Sequence, residues 1–73
     1  MEREEIFVNA ESFVSKKQNK TFFMIYTIYR GKVQSNFVSQ QVFEDCKNKQ
    51  LGESLIVKYE LNEYNRPEVS EVA

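Results

Sequence analysis

The stretch Thr21-Phe22-Phe23-Met24-Ile25-Tyr26-Thr27-Ile28-Tyr29 decides the fold. Eight of its nine residues are β-branched or aromatic, the residue types that fit a pleated, half-buried surface. Nine residues that include two threonines fall far short of the ~20 apolar residues of a spanning helix, so no membrane contact is expected. Arg30-Gly31-Lys32 follows as a short turn, with Gly31 free to take a positive φ. Val33 to Val38 then runs back as a third strand. A two-residue turn makes paired residue numbers sum to an odd value. It therefore places Phe22, Met24, Tyr26 and Ile28 on one face with Val33, Ser35 and Phe37, and Phe23, Ile25, Thr27 and Tyr29 on the other with Gln34, Asn36 and Val38. The first group reads as core. The second, which mixes aromatics with amides and threonine, reads as a half-exposed surface. A three-residue turn with a bulge would exchange the two groupings.

Outward from this hairpin the period stays near two. Ile6 to Val14 reads as a first strand, with Ile6, Val8, Ala10 and Val14 sharing one parity. Lys16-Lys17-Gln18-Asn19-Lys20 is a polar turn. After Val38 the pattern changes. Ser39 is a candidate N-cap, Val42, Phe43 and Cys46 follow at helical spacing, and Gly52 offers a stop. The spacing predicts a helix over about residues 40–50, with Lys47 and Lys49 in its last turns suiting the negative end of the dipole. Leu55, Val57, Tyr59 and Leu61 alternate with Lys58 and Glu60 in a fourth strand over residues 54–61. Asn62-Glu63-Tyr64-Asn65 is a turn, and Arg66 to Val72 is an edge strand tolerant of Pro67. The order β-β-β-α-β-β gives an all-β domain over residues 1–73 with one short helix. Closure into a small five-stranded barrel of the oligonucleotide/oligosaccharide-binding kind would hide its faces, since that barrel also carries its helix between strands three and four.

Composition removes most chemistry. With no histidine, no tryptophan and one cysteine, Cys46, the chain can build neither a histidine-dependent triad nor a zinc or iron–sulfur site. Its two glycines, Gly31 and Gly52, form no phosphate-cradling loop. No enzyme, metal or cofactor is expected. Cys46 reads as a packed thiol. The opening Met1-Glu2-Arg3-Glu4-Glu5 lacks the basic start and apolar run of a secretory signal, and with a lone cysteine this suits the cytoplasm.

The net charge of −1 conceals a partition. Residues 1–11 carry −3, residues 12–43 carry +5 with no acid at all, and residues 44–73 carry −3. The acid-free stretch is also the most aromatic, with Phe13, Phe22, Phe23, Tyr26, Tyr29, Phe37 and Phe43. Bases stack on aromatic rings for roughly 1–3 kcal/mol each, and cations track phosphates. Phe23 and Tyr29 are therefore candidate stacking platforms, Lys16, Lys17, Lys20, Arg30 and Lys32 candidate phosphate contacts, and Gln34 and Asn36 candidate hydrogen-bonding groups for sugar or base edges. Tyr59 reads as core, and Tyr64 with Arg66 as turn residues.

The stretch Ser15-Lys16-Lys17-Gln18-Asn19-Lys20-Thr21-Phe22-Phe23 resembles the first hairpin of the small single-stranded-DNA-binding, helix-destabilising proteins of phages and plasmids. In these a polar Ser-Lys turn leads into an aromatic second strand of the same five-stranded barrel. The resemblance implies sequence-tolerant coating of single strands in DNA replication, without metal or catalysis, by a homodimer. A dimer would also support so thin a core. The acidic stretch Glu68 to Ala73 would then recruit a host or replication protein, or simply form the last strand. Two other readings stand beside it. One is a small interaction or inhibitor module that uses the aromatic hairpin against a protein. The other is a structural protein that buries the same face by self-association.

Overall fold

The computed structural model describes residues 1–73. Five strands and one helix follow in the order β1 (Glu2–Ser15), β2 (Lys20–Tyr29), β3 (Lys32–Val38), α1 (Gln40–Cys46), β4 (Ser54–Leu61) and β5 (Pro67–Val72). All neighbours are antiparallel, in the spatial order β3-β2-β1-β4-β5. The long first strand serves both halves of the sheet. Residues Ile6 to Ser15 pair with β2, and Glu2 to Ile6 pair with β4.

The β2–β3 turn holds two residues, Arg30 at φ 52° and Gly31 at φ 77°. Two consecutive positive φ values make the primed turn whose twist matches a hairpin, and they account for the glycine. Pairing runs from Tyr29 with Lys32 to Phe23 with Val38, so the expected grouping of residues by face is the observed one. The assignment of those faces is reversed. Ile25 and Thr27 are wholly buried, whereas Val33 and Phe37 are 67% and 61% exposed. The group expected as core lies outside, and the group expected as surface points inward.

The first strand explains part of the reversal. Its register against β2 shifts between Phe7 and Asn9, so Val8 is the extra residue of a bulge. Ile6 and Ala10, expected on one face, therefore sit on opposite faces. Phe7 is buried, and Ala10 packs against the core. The core itself gathers Phe7, Ile25, Leu55, Val57, Tyr59 and Val69 from the sheet with Val42 and Cys46 from the helix. Tyr59 and Cys46 are thus interior, as read from the sequence.

Ser39 caps the helix, its side chain accepting from the Val42 amide at 3.2 Å. The helix ends at Cys46, a turn before the expected stop. Lys47 is the C-cap, its amide bonded to the Phe43 carbonyl and its side chain turned back to Glu44 at 2.5 Å, and Lys49, past the helix, reaches Glu53 at 3.2 Å.

The sheet does not close. β3 and β5 are its two edges, with no ladder between them. They approach only where Phe37, Val38 and Ser39 face Glu68 and Val69 across a cleft. The expected closed barrel is corrected on this point, and the reason is physical. β5 is six residues long, begins at a proline without an N–H, and is thrown out of step by a register shift at Lys58/Tyr59. The helix packs across the concave side against β1, β2 and β5, covering the core that strand pairing leaves open. No helix is long and apolar enough to cross a membrane.

Candidate functional site

The convex face of β1, β2 and β3 carries an uncovered aromatic surface. Phe13, Phe22 and Phe37 come from three adjacent strands in successive register positions: Phe13 lies opposite Phe22, and Phe37 opposite Met24. Their rings form a row, with centroids 5.7 Å apart between Phe13 and Phe22 and 5.9 Å between Phe22 and Phe37. Phe13 and Phe37 are exposed and Phe22 is half-buried between them. The Lys20 ammonium stands 5.4 Å from the Phe22 ring centroid, within the range where a cation is held by a ring face. Lys16 and Lys17 project from the adjoining turn, exposed and without ion pairs. This end of the face is therefore aromatic and basic together.

Further along the face, Tyr26 donates to Glu11 at 2.6 Å and approaches the Met24 sulfur at 3.4 Å. The bond to Glu11 raises the Tyr26 pKa, with a smaller push from burial. Ile28 and Ile6 pair on the same face, and Val33 and Ile56 extend it as exposed aliphatic surface.

The sequence-derived site residues divide between the two faces. Lys16, Lys17 and Lys20 stand beside the aromatic row. Phe23 does not: it lies on the inner face against Phe43 of the helix, centroids 5.1 Å apart. Gln34 and Asn36 are half-buried on that inner face, opposite Thr27 and Ile25. Tyr29, Arg30 and Lys32 gather at the far end of β2, where Arg30 approaches the Tyr29 ring at 5.2 Å and Lys32 lies across from it. Since β2 rises about 3.3 Å per residue, the two basic groups stand roughly 30 Å apart. The parity argument assigns Phe22 and Phe37 to the core, so the row of Phe13, Phe22 and Phe37 is not among the residues that the sequence nominates. The alternation of β4 was the available signal. It fixes Leu55, Val57 and Tyr59 as inner, and the pairing through β1 carries that face to Ile25 and Thr27 once the bulge is known.

The inner face holds a second, polar assembly. The Glu5 carboxylate is 1% exposed and accepts from the Thr27 hydroxyl, from Tyr59 at 2.5 Å and from Arg3 Nε at 3.1 Å. The Arg3 guanidinium lies between two rings, 4.2 Å from Tyr29 and 4.3 Å from Tyr59. Burial alone would lower the Arg3 pKa, but attraction to Tyr59 and Glu5 outweighs it and the net direction is upward. Burial pushes the Tyr59 phenol up and the bond to Glu5 adds to this, against the opposing pull of Arg3. Every buried side-chain polar atom has a partner, as a buried charge requires. No group of acidic, cysteine or histidine side chains is placed to hold a metal ion.

No family model matches the chain, and comparisons with curated proteins and with solved structures returned no match. The fold and surface together define a five-stranded antiparallel sheet with one helix on its concave side and an aromatic, partly basic convex face.

Proposed function

We propose that this protein binds single-stranded nucleic acid on the convex face of β1, β2 and β3. The row Phe13–Phe22–Phe37 stacks bases, and Lys16, Lys17 and Lys20 neutralise phosphates. The observation that carries this reading is the row itself, three rings each within 6 Å of the next on the uncovered side of the sheet with a lysine against the central ring. Large uncovered apolar surfaces on small proteins mark interaction sites. Stacking makes no demand on base identity, so binding is sequence-tolerant. In this reading the open sheet is a partly open oligonucleotide-binding barrel. Two features support that relationship: the helix between β3 and β4, and the approach of β3 to β5. The acid-free stretch of residues 12–43 supplies both the rings and the lysines.

The test is fluorescence anisotropy with a labelled ~20-nucleotide single strand, at two salt concentrations, with duplex as control. Binding that prefers the single strand, weakens with salt and falls on Phe37→Ala supports the reading. No binding at low salt overturns it. The aliphatic margin of Val33, Ile28 and Ile56 favours a second reading, a protein partner seated on the same face, alone or as a second copy. Partner binding indifferent to charge reversal at Lys16, Lys17 and Lys20 identifies that case.

A further inference from the structure

We propose that Arg3, Arg30 and Lys32 form a phosphate-binding site at the β2–β3 turn end of the inner face. It is separate from the convex aromatic row and independent of the reading given to that row. The site is built by register. Arg3 and Glu5 share the inner face of β1, two residues apart. Tyr29 lies on β2 one step beyond the Ile6–Ile28 pair, level with Glu5. Tyr59 lies on β4 two residues beyond Val57, the partner of Arg3. Both tyrosines are thus diagonal neighbours of Arg3 from opposite sides, and their rings cover the two faces of its guanidinium.

That enclosure leaves one direction open. Glu5 occupies Nε and the Tyr59 phenol lies within reach of the guanidinium; no other group engages an Nη, and the side chain keeps 23% of its surface. An arginine that is stacked on both sides and tethered at Nε has given up its rotational freedom before any ligand arrives. The Nη donors that Glu5 and Tyr59 leave over can be offered to the oxygens of a phosphate. Arg30 stands against the Tyr29 ring and Lys32 across from it. Neither has an ion-pair partner. Glu5, the buried carboxylate beside the site, is fully engaged by Thr27, Tyr59 and Arg3. It balances Arg3 and leaves the charges of Arg30 and Lys32 uncompensated. A phosphate group would meet two mobile cations and one fixed fork. Two sources offer that chemistry: a phosphate of a nucleic-acid strand, or a small phosphate-bearing molecule.

The experiment follows the Arg3 Nε–Hε and Tyr29 ring resonances of the full chain by NMR. Three titrations are compared: inorganic phosphate, a ~6-nucleotide oligothymidylate, and the same oligonucleotide phosphorylated at its 5′ end. Sodium chloride at matched ionic strength is the control. Saturable shifts with any of the three phosphate probes, absent with chloride, are the expected result. Response to inorganic phosphate assigns a small phosphate-bearing ligand. Response to the 5′-phosphorylated strand alone assigns a strand end, and equal response to both oligonucleotides assigns an internal phosphodiester. Arg30→Ala with Lys32→Ala, both exposed positions, should weaken the response about tenfold or more, since charge-assisted bonds are lost. Phe37→Ala should leave the response to inorganic phosphate unchanged, whatever it does to oligonucleotide binding, which separates this site from the convex row. Arg3→Lys keeps the charge but loses the fork and should abolish saturation. Shifts no different from chloride, or shifts unaltered in the Arg30/Lys32 double variant, overturn the proposal.

Discussion

The two faces of β2 carry similar residues and meet opposite fates. Ile25 and Thr27 are wholly buried, while Met24 and Tyr26, one position away on the same strand, stay half-exposed on a face with no second layer. Hydrophobicity does not separate them, since an isoleucine and a threonine are inside and a methionine and a tyrosine are out. What separates them is the helix. It supplies Val42, Cys46 and Phe43 to one side of the sheet only. The 73 residues supply one covering layer, so the other apolar face stays uncovered. The polar groups follow the same division. Glu5, inside, is bound by three donors, whereas Glu11, outside, holds Tyr26 in an exposed bond.

Substitutions can break this contrast or sharpen it. Glu5→Ala should give the largest effect, about 3–5 kcal/mol of stability in urea unfolding, because it leaves Arg3 and two hydroxyls without their acceptor. Glu11→Ala should cost within about 0.5 kcal/mol, as for other surface changes. Equal costs would show that the two carboxylates do not differ as described. Ile25→Ala should then cost about 2–5 kcal/mol, against less than about 1 kcal/mol for Phe37→Ala. A larger stability loss for Phe37→Ala than for Ile25→Ala would mean that the convex face is already covered in solution. In binding the order reverses. Phe37→Ala should lower single-strand affinity roughly 5- to 150-fold, the worth of one stacked base, whereas Phe23→Ala should act through stability alone. Titration separates the faces least. Tyr59 has a folded pKa raised above its unfolded value, chiefly by burial. Its contribution to stability is therefore complete below about pH 10 and is lost as pH rises through the folded value. Tyr59→Phe should flatten this alkaline decline, measured as Tm against pH. Tyr26, raised mainly by its exposed bond to Glu11, should affect it in the same direction but less.

Much of this could be read from the residues. The strand order along the chain, the two-residue turn and its register, the Ser39 cap and the inner face of β4 all follow from local chemistry. Each depends on a φ requirement, a cap or a clean alternation. The faces of β2 do not follow, because Thr21 to Tyr29 is apolar on both sides. The amides of β3 then misled. Gln34 and Asn36 lie on an edge strand, where an inward side chain reaches the rim of the core and keeps its contact with water. Polarity there reports the edge and not the outside. The Val8 bulge carries no glycine or proline to announce it, and without it Phe7 and Ala10 could not be seen to share the inner face. The same blind spot hid the Arg3–Glu5 assembly, since two charged residues in an acidic opening stretch look like solvated surface. It also hid that Phe23 lies inside against Phe43, while Phe13, Phe22 and Phe37 make the outer row.

The first strand pairs with different parts of the chain along its length, and this orders events in time. Its second half meets residues close by, from Ser15 against Lys20 to Ile6 against Ile28. Its first half waits for residues 54–58, on the far side of the helix. Local pairings cost less loop entropy and form sooner. The β1–β2–β3 meander is thus expected to assemble early, with its aromatic row in place while Arg3 and Glu5 are still in water. The charged cluster would be among the last contacts made, and its loss the first step of opening from the β4–β5 side.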